Sequence, residues 1–202
     1  MKIYNSSTAP NPRRVRVFLA EKNIQVPYEE VDLAKAVNRA PEFRKKNPLA
    51  GVPVLELDDG TCIAESVAIC RYFEELHPQP PLFGVSAQER AEVEMWNRRM
   101  EFNLLQPIAD TFRQKHEFFK GRIRQVPEFA DAQRLNAEDN LKWLDQELAN
   151  RRFIAGDKFS IADITAMIAI DFGRVSKITI QPDQKNLARW HADVAARPSA
   201  KA

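Results

Sequence analysis

Two hydroxyls and an amide, Ser7, Thr8 and Asn11, fall in the single stretch "STAPNPRR", followed directly by Arg13 and Arg14. All three can donate hydrogen bonds, Pro10 and Pro12 stiffen Asn11 on both sides, and a helix start adds positive potential. Two readings fit this stretch: a loop that holds a reactive anion, or a capped turn that only opens a helix. A second pair, Glu65 and Ser66, falls where a hairpin turns into a helix, so Ser66 can offer N–H and hydroxyl to a carboxylate while Glu65 pairs with an ammonium group. Arg13, Arg14 and Arg16 raise the local positive potential, although two of the three read as a solvated helix face.

Other reactive side chains read as structural. His116 has no companion at metal-ligand or triad spacing. Ser160 and Asp163 have the S-x-x-D spacing of a capping box, which starts a helix. Cys62 and Cys70 form no CxxC and are read as reduced thiols in a reducing cytoplasm.

The elements that must position these residues follow from pattern. "KIYNS" alternates as a short strand, and "PRRVRVFLAEKNI" is a helix with Val15, Phe18 and Leu19 on one face, ending at Asn23. "VPYEEVDL" returns as a strand, which implies a parallel pair. "VPVLELDDGTCIAES" is a hairpin turning at Asp59–Gly60 and running into the helix "ESVAICRYFEEL". Three prolines and a glycine in "HPQPPLFG" stop that helix and mark a boundary. Beyond it Ser86 and Glu89 form a capping box, a long helix bends at Pro107, Leu141, Leu144 and Leu148 share a face, and Ile161, Ile164, Met167 and Ile168 form a core stripe.

Composition limits the function classes. The 202 residues are 44% hydrophobic, enough to fill a core, and the net charge of +2 gives no nucleic-acid surface. No leader-like apolar region follows Lys2, and the longest apolar run, "ITAMIAI", is about a third of a membrane span. A soluble, cytoplasmic protein without membrane or nucleic-acid partners is expected.

Taken together, "APNPRRVRVFLAEK", "EFRKKNPLAGVPVLELDDG", "AESVAICRYFEE" and "FIAGDKFSIADI" carry a resemblance to the glutathione S-transferase family, in particular its bacterial theta or Nu-like class, over nearly the whole chain. The resemblance implies an α/β plus all-α protein: a thioredoxin-like glutathione-binding domain at 1–78, a linker at 79–86 and an all-helical domain at 87–202. It also implies a homodimer, with glutathione as co-substrate at the domain junction and no metal.

Within that frame, Pro53 would be cis and would expose the Val52 backbone to the cysteinyl part of glutathione, with Glu65 and Ser66 gripping the γ-glutamyl end. Family members often carry a long polar or basic side chain just before this valine, where this chain has Gly51. Asn38 and Arg39, then Lys45 and Lys46, are the candidates for the glycine carboxylate. The family's catalytic serine or threonine position, one residue before the loop proline, is Ala9 here. Asn11 is therefore expected to face the thiol sulfur, with Thr8 or Ser7 substituting if the loop shifts by one residue. Met100, Asn103 and Phe112 are expected in the hydrophobic-substrate pocket. The implied activity is transfer of the glutathione thiolate to a small electrophile; the alternatives are glutathione-dependent disulfide or peroxide reduction, and a non-catalytic binding module.

Overall fold

The alternating start of the chain forms β1 (Lys2–Asn5) in the computed structural model, which describes all 202 residues. Helix α1 (Pro10–Glu21) follows, opened by proline and closed by Asn23 at φ 54°. There the Ile24 N–H bonds the Leu19 carbonyl at 2.9 Å and the Asn23 N–H bonds Ala20 at 3.1 Å, which satisfies carbonyls the helix end would otherwise strand. Strand β2 (Tyr28–Glu30) lies parallel to β1. After a 3-10 turn at Val37–Arg39 come α2 (Pro41–Lys46), the hairpin β3 (Val54–Glu56) and β4 (Cys62–Ala64), and α3 (Ser66–Leu76).

The sheet order is β2-β1-β3-β4, with β3 antiparallel to both its neighbours. Tyr4 pairs with Val54 and Val54 with Ala64, so these three residues form one row across the sheet. Beyond that row three segments leave at the same end: the loop that follows β1, the residues that precede β3, and the Glu65–Ser66 turn that follows β4. This small mixed sheet flanked by helices is the thioredoxin-like architecture.

The chain divides into two units, residues 1–82 with 201–202, and residues 83–200, and the break falls inside the proline-rich stretch. The second unit is helical: α4 (Ala87–Met100), α5 (Gln106–Lys115), α6 (Pro127–Glu147), α7 (Ile161–Gly173) and α8 (Lys185–Ala195). Ser86 caps α4 and Ser160 caps α7, each in a complete capping box with the acidic residue three positions on. The bend expected at Pro107 is a π-helical turn, Glu101–Leu105, between α4 and α5. The wider turn accommodates the missing N–H and the ring of proline. Helix α7 is buried on every side from Ile161 to Ile170, so its apolar residues are a central rod rather than the expected stripe. No helix is long and apolar enough to cross a membrane.

Candidate functional site

The loop after β1 is held from two sides. The Glu30 carboxylate accepts from the Ser7 N–H and from Asn5 Nδ2, both at 2.6 Å, and these bonds hold it below the ordinary carboxylate range, with the Ser7 N–H the largest cause. Arg16 donates to Asn5 Oδ1 at 2.7 Å and to the carbonyls of Ser6 and Ser7 at 3.3 and 3.2 Å. Arg16 is thus a brace for the loop, and Arg14 is fully enclosed, so the solvated arginine face expected from sequence is not what forms.

Ser7 and Thr8 are exposed and Ala9 is the residue before α1, with no side-chain cap. Asn11 is half-buried inside the first turn, which rules out its being the helix cap. Pro10 and Pro12 have no N–H, and the Arg13 N–H bonds the Ala9 carbonyl at 3.3 Å. Asn11 therefore carries the one N–H of this turn without an intrahelical acceptor, next to its own side-chain amide.

At the start of β3 the Val52–Pro53 bond is cis. Val52 is half-buried and lies outside the sheet ladder, and two asparagines set the backbone before it. Asn38 Nδ2 donates to the Ala50 carbonyl at 2.7 Å, where Ala50 is at φ 56°, and Asn47 Nδ2 donates to the Gly51 carbonyl at 3.0 Å. A Cβ at position 51 would lie 3.3 Å from that Asn47 nitrogen, a local reason for glycine where the family often has a long side chain. Asn47 was not among the residues expected from sequence; the Asx-turn pattern "NPLAG", with the Leu49 N–H on Asn47 Oδ1 at 3.1 Å, is the signal that could have found it.

The other residues singled out in the sequence divide clearly. Lys45 pairs with Glu42 at 2.8 Å and Lys46 with Glu56 at 2.7 Å, while Arg39 is exposed on its 3-10 turn. Met100 is 1% exposed and belongs to the core of the helical unit, which corrects its expected place in an open pocket. Asn103 is exposed, and Phe112 is half-buried in an aromatic group with His116, Phe119 and Phe172. His116 Nδ1 accepts from the Phe118 N–H at 3.1 Å, a capping role. Both cysteines are free thiols, and burial pushes Cys70 up to about 12, which keeps it protonated at neutral pH.

After β4, Glu65 sits at φ 68°, a backbone conformation uncommon for a residue other than glycine, directly before α3. Ser66 opens that helix, 4% exposed, and its Oγ accepts from Arg14 Nη1 at 2.8 Å. The sheet therefore brings the Ser7–Asn11 loop, Val52–Pro53 and Glu65–Ser66 to one end, where donors face outward from two helix starts.

Comparison with known proteins agrees with this arrangement. The model of the glutathione S-transferase N-terminal domain matches residues 3–81 and that of the C-terminal domain residues 108–198. Glutathione S-transferase 2 of Saccharomyces cerevisiae is 37% identical, covering 100% of this chain and 88% of its own. Among solved structures, a glutathione S-transferase domain-containing protein of Marinobacter aquaeolei VT8 superposes with a TM-score of 0.95 at 40% identity, covering 98% of this chain and 99% of its own. Gtt2 of Saccharomyces cerevisiae gives 0.95 at 36%, covering 100% and 99%. The chain belongs to the glutathione S-transferase family, whose members use glutathione as a substrate.

Proposed function

We propose that this chain binds glutathione at the shared end of its sheet and transfers the activated thiolate to a small hydrophobic electrophile. The γ-glutamyl group is assigned to Glu65 and Ser66, the cysteinyl backbone to the edge at Val52 and Pro53, and the glycine carboxylate to Arg39, with Asn38 shaping the loop between them. The thiol is assigned to Asn11, with Thr8 next in line. Asn103 and Phe112 are the candidates for contact with the electrophile. A cytoplasmic homodimer is proposed with this activity.

The observation that carries the reading is the single unbonded N–H at Asn11, beside its own side-chain amide, at the start of a twelve-residue helix. Lowering a thiol by about two pKa units takes about 2.7 kcal/mol. A hydrogen bond to a charged group supplies about 1.5–3 kcal/mol and a helix start about 0.3–1. Asn11 with its helix is enough without a hydroxyl at Ala9.

The test is a glutathione titration at several pH values that follows thiolate absorbance and heat of binding in the same samples. Thiolate bound near neutral pH is expected, and in Asn11→Ala the apparent thiol pKa should rise by about 1–2 units. An unchanged pKa in that variant would move the role to Thr8, Ser7 or the backbone N–H, and absence of saturable binding would leave a non-catalytic module. Disulfide reduction remains the second reading, favoured by Ala9 and by the "PN" pair that suggests a Nu-like class, although the similar proteins above carry Gtt2-type names. Since Cys70 is held protonated, that exchange would draw its sulfurs from two glutathiones.

A further inference from the structure

Arg14 is an arginine in the wrong place for a surface charge: it is 1% exposed, on the inner face of α1, with its Nη1 2.8 Å from the Ser66 hydroxyl. A guanidinium has only donors, so in this contact Ser66 Oγ is the acceptor. The single hydroxyl proton must then point away from the cation. Ser66 is the first residue of α3, where the backbone N–H groups also face outward. A buried cation beside the positive end of a helix is electrostatically unfavourable until an anion arrives. Lys22, two helical turns along the same face of α1, meets a different environment: it pairs with Glu74 at 2.7 Å near the other end of α3. The negative partner thus lies at the end of α3 where the dipole does not need one, and the cation lies at the end that attracts a ligand carboxylate.

We infer that Arg14 is a positioning residue for glutathione: it fixes the Ser66 hydroxyl with its proton directed at the α-carboxylate of the γ-glutamyl group, and so makes that carboxylate a requirement for binding. The inference rests on the assignment of Ser66 to this carboxylate in the function proposed above. Arg14 touches no part of the ligand and acts through Ser66 alone.

The experiment compares two ligands by calorimetry: glutathione, and 4-aminobutyryl-cysteinylglycine, which keeps the thiol and the glycine carboxylate and lacks only the carboxylate in question. Wild type should bind glutathione more tightly by at least about tenfold, the low end for a hydrogen bond to a charged group. Arg14→Met should lose about that factor for glutathione and keep its affinity for the analogue. In steady-state assays KM for glutathione should rise while kcat at saturation stays within about twofold, and Arg14→Lys should recover part of the loss. Ser66→Ala should show the same ligand pattern, and adding Arg14→Met to it should cost nothing further.

Equal losses for both ligands in an Arg14→Met protein that melts like wild type would overturn the inference, as would full additivity with Ser66→Ala. If Arg14→Met fails to fold, Arg14→Lys decides in its place: a loss confined to glutathione supports the role, and a loss shared by both ligands refutes it. A wild type that binds the two ligands equally would refute the Ser66 assignment itself, and one that binds neither would refute the proposed function.

Discussion

Replacing Asp163 with alanine should destabilise the helical unit by about 3 kcal/mol at pH 7. This carboxylate is fully buried and accepts from four donors: the Ile154 N–H and Trp190 Nε1 on one oxygen, both at 2.9 Å, and the Ser160 N–H and hydroxyl on the other, at 3.0 and 3.2 Å. Three of these donors are N–H groups that alanine would strand, at about 1–3 kcal/mol each. Against this stands relief from burying the charge. Burial pushes the carboxyl up to about 6 from its ordinary 3.8, although the hydrogen bonds from Ile154, Trp190 and Ser160 pull it down, and roughly two pKa units correspond to about 3 kcal/mol.

The sign of the pH dependence follows. A raised carboxyl binds its proton more tightly in the folded state than in the unfolded one, so this group's contribution is greatest below pH 3.8, falls as pH rises to about 6, and is flat above. The cost of Asp163→Ala should therefore be larger at pH 4.5 than at pH 7. Urea unfolding followed by tryptophan fluorescence is the assay, because all three tryptophans, Trp96, Trp143 and Trp190, lie in the unit of residues 83–200 and report on it alone. A cost under about 1 kcal/mol at pH 7, or one that shrinks as pH falls, would refute the account of this site as an acceptor cluster under a burial penalty.

Lys22→Met should cost about 3–5 kcal/mol, since it leaves Glu74 without the ion pair at 2.7 Å and removes the donor that holds the His77 and Pro80 carbonyls, each at 2.7 Å. Adding Glu74→Leu should restore much of this in thermal melts, and a Lys22→Met protein as stable as wild type would refute the estimate. Glu30→Ala should lower kcat/KM for glutathione by about tenfold with little change in melting, because it frees the Ser7–Ala9 backbone on one side. Glu30 is held below the ordinary carboxylate range, so wild type should keep its loop geometry above that range and lose it as pH falls through the lowered value. Unchanged kcat/KM in Glu30→Ala would show that Arg16 alone suffices.

Much of the framework was legible because it is local. Asn23 closes α1, Asp59–Gly60 turns the hairpin, and Ser86 and Ser160 open their helices through contacts three residues away. The parallel pair was legible from the strand-helix-strand order. What escaped depends on distance in the chain: Arg14 meets Ser66 across 52 positions, and no short window shows it. A signal was nonetheless present, since Arg14 and Lys22 fall in the same i, i+4 row as buried Phe18, where a solvated charge does not belong. Met100 was misplaced for the complementary reason, because helical spacing names a face without saying whether that face meets solvent or core. The π turn before Pro107 was legible only as a bend.

The row Tyr4–Val54–Ala64 has an evolutionary consequence. Each segment at the sheet end hangs from its own strand and is fastened by its own side chains: Glu30 and Arg16 for one, Asn38 and Asn47 for the next, Arg14 for the third. One segment can drift in sequence while the others keep their geometry. Ala9 and Gly51, where relatives of this architecture often carry functional side chains, record such drift in two of the three, on a scaffold that has not had to move.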